Sequence, residues 1–211
     1  MPMKSGRRPP GRGRGGEPAR RTVPKRAGAP PRMAAVPRKR WLRLINTGPT
    51  VLVSAAHGDR RSVLAVAWAM PASVDPPLVV ISVGLERATH PLIRRSREFV
   101  ISIPTRDQLP LVRIAGTVTG REVDKFAGLG LTPEPARKVG APRVGECPAH
   151  LECRLARTHR CGDHTLFVGE VVGAYALPRL FAERLRVERG AETLHHLGGS
   201  EFHLPGPIVR M

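Results

Sequence analysis

Aromatic residues and long apolar runs are both scarce in this chain. Phe, Trp and Tyr make up 4% of the 211 residues while 41% are hydrophobic, so a core must be built mainly from Val, Leu, Ile and Ala. No apolar run reaches the roughly 18 residues that a membrane-spanning helix needs. The N-terminus also lacks the apolar segment of a secretory signal. The sequence therefore predicts a cytoplasmic protein without a membrane span.

Cysteine is scarce as well. The three cysteines are Cys147, Cys153 and Cys161. Their spacing matches neither a zinc ribbon nor a Cys-x-x-Cys redox pair, so free thiols in a reducing compartment are the simplest interpretation. A metal cluster that adds His150 has unusual ligand spacing. In a strand, His195 and His196 would point to opposite faces, so we predict no metal site.

Positive charge is concentrated at one end of the chain. The net charge is +18, and 13 of the 35 Lys and Arg residues lie in the first 40 positions, against one acidic residue, Glu17. Residues 1–38 are also rich in Pro and Gly, and such a segment buries too little surface to offset its ordering entropy. We expect a disordered tail at 1–38 and one ordered domain at 39–211.

Two interpretations of this tail remain open. Clustered Arg residues could bind nucleic acid through its phosphates. However, no aromatic residues are interleaved for base stacking, which favours a solvated tail instead. An alternative start of the chain at Met33 would leave no functional tail.

Short apolar segments separated by turns dominate the remaining sequence. The predicted strands are 50–57, 62–68, 78–83, 99–103, 149–158 and 164–175. Segments 58–61 and 161–163 contain Gly-Asp pairs and are predicted as hairpin turns. Strand 78–83 is apolar enough to be buried on both faces. Many short strands with few helices favour a β-barrel.

Three short helices are predicted. Thr89 or His90 is expected to cap the first, since Pro91 follows in its first turn. A second, weaker helix is expected at 109–115. The third is expected at 121–127, because residues 119–122 fit a capping box and Gly128 follows as a stop.

The segment that joins strand 78–83 to the first helix is a candidate phosphate site. The chain turns at Gly84, and Arg87 and Thr89 then precede a helix N-terminus. Unpaired N–H groups at a helix start, an arginine and a hydroxyl together can hold one phosphate. The alternative is a capped surface helix beside a solvated arginine.

Three motifs together resemble a known family. They are the segment 68–79 (WAMPASVDPPLV), the segment 89–93 (THPLI), and the segment 162–171 (GDHTLFVGEV). The chain is similar through these motifs to the flavin reductase-like family, which includes flavoredoxins and the reductase partners of two-component monooxygenases. The resemblance extends from about Pro49 to Phe202.

This resemblance implies a fold, a cofactor and a site. The implied fold class is mainly β, an FMN-binding split β-barrel with a few short helices. The resemblance also implies a homodimer, and NADH or NADPH as the hydride donor. The residues implied to surround FMN are Ser62, Trp68, Ala69, Met70, Pro71, Ala72, Ser73, Arg87, Thr89, His90, Lys125, His164 and Phe202. Ser62 departs from the family, which often has Asn at this position.

Lys125 and His164 are the candidates for roles in the chemistry. Reduction places negative charge on the flavin ring, and Lys125 is the candidate donor to that charge. His164 is expected to contact the ring or the nicotinamide, without acting as a proton donor. The alternatives are a solvated helix lysine, a structural histidine and, for Trp68, simple core packing.

The predicted function is therefore a flavin reductase-type oxidoreductase that passes hydride from NAD(P)H to FMN. An oxygenase or another electron-acceptor protein is the expected partner. The alternative is an FMN-holding, flavoredoxin-like electron-transfer protein that does not oxidise nicotinamide directly.

Overall fold

The structure, a computed structural model, describes residues 34–121 and 123–209. Its centre is a seven-stranded antiparallel sheet. In chain order the described strands are β1 (Val51–His57), β2 (Arg60–Val66), β3 (Ala69–Ser73), β4 (Leu78–Gly84), β5 (Glu98–Ile103), β6 (Pro133–Glu134), β7 (Arg143–Val144), β8 (Ala149–Cys161), β9 (His164–Ala176), β10 (His195–Gly198) and β11 (Glu201–His203). Two short strand pairs, β6 with β7 and β10 with β11, lie outside the seven-stranded sheet. The helices are α1 (Thr89–Ser96), α2 (Leu109–Thr117) and α3 (Lys125–Gly128), with 3-10 turns at Arg38–Leu44, Arg106–Gln108 and Val187–Arg189.

The order of the strands explains the barrel shape. The sheet runs β2-β1-β5-β8-β9-β4-β3, so β2 and β3 are its two edges, although they are consecutive in the chain. Only Ala67 and Trp68 separate these edges, and the Trp68 carbonyl accepts a hydrogen bond from the Ser82 amide of β4 at 2.9 Å. The sheet therefore curls until its edges approach each other, and the mainly β, split-barrel fold predicted from the sequence is confirmed.

The sheet packs apolar side chains on both of its faces. Alternate residues of β1 point to opposite sides, so that Val51 and Val53 join one cluster and Leu52 joins the other. Helix α1 covers the first cluster with Leu92 and Ile93, while α2 and α3 cover the second. These two layers hold the strand ends in fixed positions.

The predicted strands form, but the one expected at 62–68 ends at Val66, β3 was not predicted, and the burial of another strand needs correction. Residues 78–83 are not buried on both faces: Val79, Ile81 and Val83 are buried, whereas Val80 and Ser82 are half-buried. The partly open face of β4 borders the cavities described below. Both Gly-Asp hairpin turns form, and Gly58 and Gly162 take φ values of 57° and 60°, which favour glycine.

The helix starts differ from the predictions. Helix α1 has Ala88 at its N-cap without a side-chain hydrogen bond, so neither Thr89 nor His90 caps it. Helix α3 begins at Lys125 and is capped by Asp124 rather than by Thr119. The predicted contribution of Glu122 lies outside the described residues. Helix α2 confirms the prediction at 109–115.

Several predictions concern the ends of the chain. Most of the tail expected at 1–38 lies outside the described residues, and so does the proposed nucleic-acid contact. No helix within the described ranges has both the length and the apolar character to cross a membrane.

The three cysteines are not paired with one another. Cys147 and Cys153 are buried and Cys161 is exposed, each as a free thiol.

Candidate functional site

A cleft of about 340 Å³ opens where strand ends meet. The ends of β2 and β4 and the start of β9 border it, together with the 3-10 turn Arg38–Leu44 and the end of β10. Its lining includes Arg43, Ala65, Trp68, Arg87, His164 and His196. Its volume falls in the range of small-molecule sites. We call this space the cleft.

Two aromatic rings meet in the cleft. The ring centroids of Trp68 and His164 lie 4.8 Å apart. His164 is fixed because it pairs with Gly84 across β4 and β9, and because its Nδ1 lies 2.8 Å from Asp163 Oδ1. Trp68 is 37% exposed, and its Nε1 donates to Asn46 Oδ1 at 2.9 Å. The two side chains can therefore contact a flat, conjugated ligand.

A second, smaller pocket of about 200 Å³ adjoins the cleft. Its lining includes Ser62, Thr89, Gly120 and Lys125, and it shares Leu64 and Arg87 with the cleft. We call it the Lys125 pocket. Because the two cavities share lining residues, one elongated ligand can extend through both.

The ammonium group of Lys125 is buried in this pocket. Lys125 is 3% exposed, and its Nζ donates to the Ala115 carbonyl at 2.6 Å. Burial lowers the pKa of Lys125 to about 8, and the positive charge of Arg87 lowers it in the same direction. A buried cation is unfavourable unless an anion compensates it. Lys125 is therefore not the solvated lysine that the alternative interpretation described.

Helix α3 holds Lys125 in this position. The Asp124 side chain caps the helix by accepting from the Phe126 amide at 2.9 Å, and it also pairs with Arg61 at 3.1 Å. The Arg61 guanidinium lies 5.3 Å from the centre of the Phe126 ring, which is buried. A helix of four residues has few internal hydrogen bonds, and these contacts with its neighbours stabilise it.

Ser62 provides an unpartnered hydroxyl in the same pocket. Ser62 is 2% exposed, and its Oγ has no hydrogen-bond partner among the described residues. Gly120 lies directly against it, since a Cβ at Gly120 would collide with Ser62 Oγ and would lie 3.4 Å from Lys125 Cε. A free hydroxyl beside a buried ammonium fits a ligand group with several anionic oxygens.

The predicted phosphate segment is divided between two environments. Arg87 lines both cavities, and the buried Thr89 lines the Lys125 pocket. The side chain of His90 lines neither, because its Nε2 lies 2.8 Å from Thr165 Oγ1 and its ring packs edge-on against Phe167. Burial lowers the pKa of His90, in keeping with a neutral core histidine.

The residues from Ala69 to Ser73 form the edge strand β3. Ala69 and Met70 line an apolar pocket beside the cleft, and Trp68 borders both spaces. Pro71, Ala72 and Ser73 line neither the cleft nor the Lys125 pocket. The contact of this segment with a flavin edge stays a prediction.

Phe202 lies on the other side of the cleft. It lines a cavity of about 390 Å³ that shares Ala65, Gly116 and His196 with the cleft. Its ring centroid is 5.1 Å from that of His196. Phe202 therefore lines a cavity that adjoins the cleft, and it does not line the Lys125 pocket.

Sequence reasoning missed the N-terminal border of the cleft. Lys39, Arg43 and Asn46 all line it, although no site was predicted before position 49. His196 was not among the predicted site residues, yet it lines the cleft and its Nδ1 lies 3.2 Å from Asn46 Nδ2. The spacing of positions 39, 43 and 46, which is typical of one helix face, was the available signal.

The sequence of this chain matches a family model and several known proteins. Residues 42–191 match the model of the flavin reductase like domain. An uncharacterized protein of Pyrococcus abyssi is 39% identical over 160 residues, covering 76% of this chain and 91% of that protein. An NADH-dependent FAD reductase of Streptomyces globisporus is 32% identical over 133 residues, covering 63% and 71%.

Solved structures show the same fold. The flavoredoxin of Desulfovibrio vulgaris (Miyazaki F) matches with a TM-score of 0.72 at 30% identity, covering 78% of this chain and 90% of that one. An FMN-binding protein from Thermus thermophilus matches with a TM-score of 0.71 at 26% identity, covering 88% and 99%. The range that matches the family model includes β2, β4 and β9, which border the cleft, and also Lys125, whereas β10 lies beyond it.

Proposed function

Since this chain belongs to the flavin reductase-like domain family, we propose that it is an oxidoreductase that binds FMN and takes hydride from NADH or NADPH. FMN occupies the cleft and the Lys125 pocket in this proposal. When bound, FMN supplies the hydride-accepting ring that no amino-acid side chain provides.

The observation that carries this proposal is the Lys125 pocket. The pocket combines a buried ammonium, the unpartnered Ser62 hydroxyl and the Arg87 side chain, all next to a cleft with two aromatic rings. A phosphate at one end of a flat ring system is complementary to both parts. The residues present therefore fit FMN.

Four side chains of the pocket have roles in binding in this proposal. Lys125 supplies positive charge, and Arg87 supplies a guanidinium that also pairs with Glu86 of the same pocket at 2.8 Å. The hydroxyls of Ser62 and Thr89 supply hydrogen bonds. The sequence interpretation assigned Lys125 to the flavin ring. Its position beside Arg87 and Thr89 favours the phosphate-bearing end instead.

The cleft residues orient the ring and leave room for the hydride donor. Trp68 and His164 contact the conjugated part of the ligand, and His164 holds its orientation through Asp163. Small residues such as Ala65 and Gly116 line the cleft without filling it, so a second ring can approach closely. Phe202 and His196 keep water away from one side.

Two related proteins support the choice of reaction and also its alternative. The similar Streptomyces protein is an NADH-dependent FAD reductase, which supports a nicotinamide donor. The similarity to a flavoredoxin supports an electron-transfer protein that is reduced by another protein. The homodimer and the oxygenase or other acceptor partner stay predictions.

Anaerobic spectroscopy tests the proposal. The purified protein is loaded with FMN, and NADH or NADPH is added without oxygen. We expect rapid loss of the visible flavin absorption, at a rate far above that of free FMN mixed with the same nucleotide. If neither nucleotide reduces the bound flavin faster than free FMN, the reductase proposal is wrong and the electron-transfer alternative gains support.

A further inference from the structure

The 3-10 turn Arg38–Leu44 contributes two cations to the cleft. Lys39 and Arg43 both line it, and Leu42 and Asn46 from the same face of this segment line it as well. Neither Lys39 nor Arg43 lines the Lys125 pocket. The cleft therefore has basic side chains that the phosphate-holding pocket does not use.

The guanidinium of Arg43 lies directly over a glycine. A Cβ at Gly198 would lie 2.9 Å from Arg43 Nε and 3.2 Å from its Cζ, so a side chain at this position would displace the guanidinium. Gly198 also has φ of 124°, a conformation that side chains disfavour. Asn46 connects the same segment to the cleft through its bonds with Trp68 and His196.

Lys39 and Arg43 are exposed cations without an ion pair in the part of the chain that the structure describes. Within residues 34–121 and 123–209, neither side chain lies within 4.0 Å of a carboxylate, whereas Arg87 pairs with Glu86 at 2.8 Å. FMN carries one phosphate, for which the Lys125 pocket already provides partners. A second pair of cations in the same cleft is available to bind a second anionic group.

We propose that Lys39 and Arg43 form a subsite for the diphosphate of an adenine dinucleotide. This chemical group is shared by NADH, NADPH and FAD. The inference rests on the proposed function, because it assumes that the cleft also holds the flavin ring. Arg43 binds the diphosphate from its position over Gly198, and Lys39 adds positive charge from the same 3-10 turn.

Equilibrium binding tests the subsite without any turnover. The double variant Lys39→Gln/Arg43→Gln is loaded with FMN and titrated calorimetrically with NAD⁺ and with NADP⁺, and the flavin-free protein is titrated with FMN and with FAD. The matched control is Arg38→Gln/Arg40→Gln, which removes the same charge from the same turn at positions that do not line the cleft. The single variant Lys39→Gln leaves the contact of Arg43 with Gly198 intact.

We expect the double variant to bind dinucleotides about tenfold more weakly or worse, with FMN affinity changed less than about twofold. A loss with NAD⁺ and NADP⁺ assigns the subsite to the hydride donor, and a loss with FAD alone assigns it to the flavin. Unchanged dinucleotide affinity, or an equal loss with FMN or in the control, overturns the proposal. A failure of hydride transfer leaves all these affinities measurable, so the two proposals fail separately.

Discussion

Two buried serines occupy contrasting environments in this molecule. Ser102 is 0% exposed and lies within hydrogen-bonding distance of two partners: the Val144 amide at 3.2 Å and His150 Nδ1 at 3.0 Å. Ser62 is 2% exposed, yet its Oγ has no partner among the described residues, and it lies beside the buried Lys125. We call these groups the Ser102 cluster and the Ser62 cluster.

The two serines differ in where their hydrogen bonds come from, and this difference distinguishes a residue that stabilises the fold from one that binds a ligand. Burial removes a polar group from water in both places, and only hydrogen bonds offset that loss. The Ser102 cluster obtains them from the protein, so it contributes to stability. The Ser62 cluster, which adjoins the cleft, obtains them from a ligand in our proposal.

Removing the cation of the Ser62 cluster has the largest expected effect. We expect Lys125→Met to weaken FMN binding about 10- to 100-fold, because a charge-assisted contact is lost. The free energy of unfolding without flavin should change by less than about 1 kcal/mol, since a costly buried charge is lost as well. Fluorescence titration with FMN and urea denaturation measure the two quantities. A large loss of stability at unchanged FMN affinity would show that Lys125, like the Ser102 cluster, contributes to stability and not to binding.

The two serines themselves provide the matched comparison. We expect Ser102→Ala to lower the free energy of unfolding by about 1–3 kcal/mol, because it leaves the buried Val144 amide and the His150 ring nitrogen without this partner. Ser62→Ala should lower it by less than about 0.5 kcal/mol, because no bond within the protein is lost, and should weaken FMN binding instead. Equal destabilisation in both variants, measured by denaturation without flavin, would remove the distinction.

The pH dependence of stability is the smallest expected effect. The pKa of Lys125 falls to about 8 and that of His150 to about 4 on folding, in both cases first of all because of burial. Between its folded and its unfolded pKa, each group binds more protons in the unfolded chain than in the folded protein. The free energy of unfolding therefore rises with pH across that interval. Lys125 should therefore produce a rise above about pH 8, and His150 a loss as pH falls from 6.5 toward 4.

Bound FMN sharpens this comparison. In our proposal its phosphate keeps Lys125 protonated, so the rise above about pH 8 should vanish with FMN and in Lys125→Met, while the acid loss persists in both. Denaturation curves at several pH values measure the two limbs. An alkaline rise that is unaffected by FMN would separate Lys125 from the ligand.

Local signals predicted much of the fold but not the surroundings of several predicted site residues. The Gly-Asp turns and apolar strands depend on neighbours in sequence, and the structure confirms them. The predicted caps of α1 and α3 were wrong: Ala88 stands at the N-cap of α1 without a side-chain hydrogen bond, and Asp124, which pairs with Arg61 of β2, caps α3. His90 appears in the predicted phosphate segment, yet the partner of its ring is Thr165, 75 positions away.

Most of the central strands, the hairpin turns and the family can be read from the chain alone, because β-alternation, glycine conformation and contiguous motifs are properties of neighbouring residues. The burial of Lys125 beside Ser62 and Arg87, and the approach of Arg43 to the cleft over Gly198, arise only in the folded protein. Burial and charge pairing depend on segments that meet only after the sheet has curled. Such contacts leave no local pattern in the chain.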